Sequence, residues 1–156
     1  MGVSSSDLQS KFRWLQSTVV NETDFRLTFD DANYQFRKGR FWTAPGNVAA
    51  NSESTYSICN KALGFGVNGV VRYHLAVNPE TILTIVINYR NEFFGDMVVT
   101  ANIERDGASS KETTVLIDGV ENTISVRSAP GNEAKITVFY SKETTPKPKA
   151  AAATPE

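Results

Sequence analysis

Apolar and polar residues alternate along much of this chain with a period of two, the spacing that gives a β-strand one face toward a core and one toward water. Phe25, Leu27 and Phe29 against Arg26, Thr28 and Asp30 are the cleanest case and predict a strand with one buried face. Between Phe12 and Val20 (FRWLQSTVV) the apolar Phe12, Trp14 and Val20 fall on even positions, which predicts a first strand with that face inward. Asn21 to Asp24 is then a turn, and the two runs are expected to form a hairpin. Two further runs are apolar almost throughout: Gly69 to Val77 (GVVRYHLAV) and Thr81 to Tyr89 (TILTIVINY). Their Val, Ile, Leu, Thr and Tyr content predicts two central strands of a buried sheet, joined at Asn78-Pro79-Glu80.

The remaining pattern is of the same kind. Asp30 to Asn33 reads as a turn, Tyr34 and Phe36 as inward residues of a short strand, and Gly39 as a bulge or bend. Residues 43 to 53 form a loop with a Pro45-Gly46 turn signal, after which Ser54 to Asn60 returns as a strand. Asp96 to Ile103 is another strand. Thr113, Val115 and Ile117 alternate before an Asp118-Gly119 turn, and Val120, Ile124 and Val126 follow it, a strong hairpin signal. Ala134 to Tyr140 closes the series. No long amphipathic helix interrupts it, so the expected fold is all-β: a single-domain β-sandwich of about nine or ten mostly antiparallel strands. The expected boundaries are a flexible N-terminus at 1–11, the sandwich at 12–141, and a disordered Pro/Ala-rich tail at 142–156.

Composition narrows the chemistry. The formal net charge of −1 offers no electrostatic footprint for nucleic acid, whose binding rests on many Lys and Arg neutralising phosphates. No apolar run reaches the roughly 20 residues of a membrane-spanning helix. The start MGVSSSDLQSK lacks the apolar centre of a secretory signal, which predicts synthesis in the cytosol and leaves later release and membrane association open. Gly2 and Ser6 match the short myristoylation pattern, which arises easily by chance. Cys59 is the one cysteine and His74 the one histidine, with no second soft ligand at a metal spacing, so no metal or cofactor is expected. His74 reads as a strand histidine bonded to its neighbours. No nucleophile motif accompanies it, and no catalytic residue is assigned. Asn21-Glu22-Thr23 is a glycosylation sequon by pattern and a turn by position.

What stands out is aromatic. Phe41, Trp42, Tyr89, Phe93 and Phe94 fall outside clean alternation, and adjacent Phe93 and Phe94 cannot both face one side of a strand. These rings either plug the ends of the core or form a surface patch for a membrane interface or for stacking on a ligand. Arg40 and Arg90 beside them suit the phosphate of a lipid headgroup. The candidate binding set is therefore Arg40, Phe41, Trp42, Tyr89, Arg90, Phe93 and Phe94. The same rings would serve a carbohydrate-binding lectin, the competing reading.

Several short motifs, spread from about residue 12 to 141, resemble the aegerolysin family. They are Trp14 with Val20-Asn21-Glu22-Thr23, then Gly39-Arg40-Phe41, Ser57-Ile58-Cys59-Asn60, the glycine-bounded FGVNGVVRYHL from Phe65, and the closing GNEAKITV from Gly131. NEFFGD stands where aegerolysins carry an asparagine or cysteine, a proline, an aromatic and a glycine. The resemblance implies a non-enzymatic β-sandwich that binds membrane lipids, sphingolipid- or sterol-containing ones, and that oligomerises on membranes or forms pores with a larger partner protein. A second resemblance, to the actinoporin cytolysins, runs through the same GVNGVVRYHL region. Actinoporins insert a longer amphipathic N-terminal helix, whereas about eleven polar residues precede the first predicted strand here.

Overall fold

The two apolar runs form the longest strands of the molecule, described by a computed structural model over residues 13–60, 67–91 and 98–141. In chain order the strands are β1 (Arg13–Glu22), β2 (Leu27–Phe29), β3 (Gln35–Lys38), β4 (Arg40–Thr43), β5 (Ser52–Asn60) and β6 (Val67–Asn78). They continue with β7 (Thr81–Asn91), β8 (Val98–Arg105), β9 (Ala108–Ser110), β10 (Glu112–Ile117), β11 (Val120–Ala129) and β12 (Glu133–Tyr140). One sheet runs β10-β11-β12-β1-β5-β4; the other runs β2-β6-β7-β8-β9, with β3 also paired to β6. The expected all-β sandwich is what forms. The strands beyond the expected ones are β4 and β9, of four and three residues.

Local signals became local structure. The predicted β6–β7 hairpin pairs Val71 with Ile87 and Leu75 with Leu83, and Val71, Tyr73, Leu75, Leu83, Ile85 and Ile87 are buried in the core. Asp118 and Gly119 take φ values of 51° and 80° in the β10–β11 turn, and Asp106 and Gly107 take 51° and 83° between β8 and β9. Positive φ at both central residues matches the right-handed twist of the flanking strands, which is why Asp-Gly recurs there. Gly39, with φ 100°, is the expected bend: β3 pairs with β6 in one sheet and β4 with β5 in the other, so the chain changes sheets at this glycine.

Two expectations are corrected. β1 and β2 form no hairpin, because β1 lies between β5 and β12 while β2 pairs with β6 in the opposite sheet. The turn between them carries the chain across the sandwich, and Asn21 holds it. Its buried side-chain amide donates to Phe25 O (2.6 Å), Ala49 O (3.1 Å) and Val48 O (3.3 Å) and accepts from Thr23 N (3.0 Å) and Thr23 Oγ1 (2.7 Å). An Asn so engaged is closed to glycosylation in the folded state. The second correction concerns the inward face of β1. Leu15, Ser17 and Val19 are fully buried, and the half-buried Trp14 and Val20 lie on the other face. The parallel pairing of β1 with β12 joins strands from opposite ends of the chain and is the long-range closure of the sandwich.

Candidate functional site

The strand register places three of the seven sequence-predicted residues, Arg40, Trp42 and Arg90, on outer faces at one end of the sandwich. Trp14 and Arg40 flank Cys59 across β1, β5 and β4, so Trp14, Cys59 and Arg40 share the outer face of the first sheet. Trp42, two residues on from Arg40, belongs to that face too, and the Arg40 guanidinium lies 5.6 Å from the centre of its ring. In the second sheet Arg90 pairs with Asn68 and Val98 at the same end, on the outer face, and Val98 is 41% exposed. Gly39 joins the two ends: a Cβ there would fall 3.1 Å from Cys59 O and 3.1 Å from Val67 Cγ1. Asn132 extends the rim by donating to Trp14 O at 3.1 Å.

Two of the other candidates face the core. Tyr89, expected at a ligand surface, is 2% exposed and belongs to the core, because it alternates with the outward Arg90 and points inward. Phe41 is half-buried between Arg40 and Trp42 and packs inward, 4.7 Å from Phe36 and 6.1 Å from Tyr56 between ring centres. These two rings are therefore filler for the core, in a cluster with Phe29, Tyr34, Phe36, Tyr56 and Tyr73 that closes the sandwich beside β3 and β4. Phe93 and Phe94 lie outside the described residues; the strand ends that flank them, Asn91 and Val98, belong to the Trp42 end.

Burial pushes the phenols of Tyr56, Tyr73 and Tyr89 far above the ordinary tyrosine value of 10.0, and the proximity of Tyr56 adds to the shift of the other two. The Ser17 hydroxyl opposes the shift at Tyr56 without reaching hydrogen-bond geometry, and Tyr56 Oη, Tyr89 Oη and Ser17 Oγ have no hydrogen-bond partner among the described residues. A raised folded-state value leaves these groups without effect on stability below pH 10, where folded and unfolded chains are both protonated. Above it the unfolded chain ionises first and stability falls. Ultraviolet titration should show these three phenols silent until alkaline unfolding exposes them. A smooth ionisation of all tyrosines in the folded protein would contradict their burial.

The outer face of the second sheet carries a polar site that the sequence did not single out. His74 on β6 lies opposite Thr28 on one side and Thr84 on the other, and Thr84 lies opposite Glu104. His74 Nε2 is 2.7 Å from Asp30 Oδ2, and its Nδ1 is 3.2 Å from Thr84 Oγ1. An ionised carboxylate only accepts, so Nε2 carries a proton. Asp30 also accepts from Asn33 Nδ2 (3.1 and 3.0 Å) and Ala32 N (3.2 Å), and Arg72 ties the same turn by donating to Asn33 O at 2.6 Å. The bonds from Asn33 and then His74 hold the Asp30 carboxyl below its ordinary 3.8. A depressed value contributes stability above pH 3.8 that is lost as pH falls through the lower folded value. Urea melts should therefore separate Asp30→Asn from the wild type most at neutral pH and least in strong acid; a constant difference would contradict the assignment. Both nitrogens of His74 engage neighbours, as expected for a strand histidine, and among the described residues no group of three metal-binding side chains forms.

No protein-family model matches the chain, and no curated protein sequence matches it. Solved structures do. The lipid-binding protein Nakanori is similar at a TM-score of 0.53 and 13% identity, over 83% of this chain and 71% of that one. At that identity the likeness is one of fold. The wild-type lectin XCL of Xerocomus chrysenteron is aligned over 82% of this chain and 99% of its own at 14% identity, with a TM-score of 0.30, too low to carry anything over.

Proposed function

We propose that this chain is a non-enzymatic β-sandwich that binds membrane lipids through the end carrying Trp14, Arg40, Trp42, Arg90 and Val98. The observation that carries the reading is that these residues, which come from four strands and both sheets, lie toward one end of the sandwich by register. Trp suits the headgroup region because it is apolar with one hydrogen-bonding N–H, and Arg pairs with phosphate bidentately. The fold likeness to a lipid-binding protein supports the reading. Its finer form is an aegerolysin-type protein that takes sphingolipid- or sterol-containing membranes, assembles there and forms pores with a larger partner.

Co-sedimentation with vesicles of phosphatidylcholine alone, and with sphingomyelin, sterol or phosphatidylserine added, is the test. Binding to at least one mixture is expected, and Trp42→Ala should weaken it by roughly five- to thirtyfold, the partition of one half-buried indole. Arg40→Ala should weaken it less and more steeply at low salt. Absence of binding to every mixture would overturn the proposal.

A further inference from the structure

The His74 site opens into two grooves on the outer face of the second sheet. One, of about 440 Å³, is lined by Asp30, Asn33, Tyr34, Gln35, Arg72 and Glu104 beside His74. The other, of about 660 Å³, continues past His74 onto Phe25, Ala76 and Ile82. We propose that this face is a second binding site, distinct from the Trp42 end, and that its ligand is a neutral saccharide.

Charge and hydrogen-bonding capacity select that class. Arg72 is opposed by Asp30 and Glu104 in the first groove, so a phosphate or sulfate would meet two carboxylates and an ammonium group would meet a guanidinium. Neither ionic ligand is favoured. The carboxylate of Glu104 and the amide of Gln35 are both exposed and make no hydrogen bond among the described residues, while Arg72 spends one N–H on Asn33 O. Acceptors and donors therefore stand together, which is what hydroxyl groups satisfy, since each donates one bond and accepts others. The apolar complement is present as well. Tyr34 is 39% exposed in the first groove and Ile82 is 60% exposed in the second, each offering a surface to the C–H face of a sugar ring. The floor is rigid. It lies on the central hairpin, and the Asp30 turn is fastened to it by His74 and Arg72, so little ordering is needed on binding.

The purified chain on a glycan microarray should be retained on a subset of uncharged oligosaccharides and displaced by the same free sugar. Glu104→Ala and Gln35→Ala should each lower that retention by about tenfold or more, the loss of a hydrogen bond to a ligand hydroxyl. Trp42→Ala should not change it. Neither the Glu104 nor the Gln35 side chain bonds to a described residue, so melting temperatures that match the wild type will show that the variants fold. Absence of retention, retention only on sulfated or phosphorylated glycans, or retention untouched by both variants would overturn the proposal. Failure of the vesicle assay would not, because the two sites use different residues.

Discussion

Alanine at Gly69 is expected to cost more stability than any other single-methyl addition to the glycines of the described strands and turns. Gly69 on β6 lies opposite Tyr89 on β7 and Phe36 on β3. A Cβ there would collide with the Gln35 carbonyl oxygen and fall 2.5 Å from Tyr89 Oη and 2.9 Å from Tyr89 Cζ. The tyrosine ring thus covers the glycine, in the space a side chain would occupy. Relief requires moving both the β3 backbone and a core tyrosine that packs 6.2 Å from Phe36. The loss should reach or exceed the upper part of the roughly 1–3 kcal/mol typical of overpacking. Tyr89→Phe should not rescue it, because the ring carbon and the Gln35 carbonyl remain in the way. Gly46→Ala is the control: nothing lies within 4 Å of its Cβ and its φ is ordinary, so it should change stability by less than about 0.5 kcal/mol. Equal urea midpoints for the two variants would contradict the packing described.

Asn21→Ala is the second large effect. The amide is fully buried and serves Phe25 O, Val48 O and Ala49 O as donor and Thr23 as acceptor, so truncation orphans groups on two loops at once. Each buried group left without a partner costs roughly 1–3 kcal/mol, and the sum should be about 3 kcal/mol or more. Asn21→Asp should be nearly as damaging, because a carboxylate cannot donate to the three carbonyls. Thr23→Val removes only the hydroxyl that Asn21 Oδ1 and Phe25 N share, and should cost less. A neutral Asn21→Ala in a denaturant melt would mean that the turn does not depend on this side chain.

Much of the fold was legible where the determining contacts are local. The β6–β7 and β10–β11 hairpins follow from apolar runs on either side of a short turn, and Gly39 marked the sheet change because its backbone needs positive φ. The β1–β12 parallel pair was not legible, since nothing in either strand names a partner more than a hundred residues away. The face of β1 was misread because Trp14 and Val20 weigh more in an apolar count than Ser17, which is buried. At the Trp42 end, Arg40, Trp42 and Arg90 are outward, while Phe41 and Tyr89 fall on the alternate positions and point in. The His74 site was half-legible. Counting back from the Asn78 turn sets His74 against Thr84, but Asp30 reaches it only through the β2–β6 pairing, which the expected β1–β2 hairpin concealed.

The central claim is that the Trp42 end enters a lipid headgroup layer, and tryptophan fluorescence reads it directly. Trp14 and Trp42 are the only tryptophans, so Trp14→Phe leaves a single reporter at the proposed contact. With vesicles of the mixture that binds best, brominated on their acyl chains near the headgroup, the account predicts strong quenching of Trp42 and a blue shift of its emission. A protein that binds those vesicles while Trp42 stays unquenched and unshifted would contradict it.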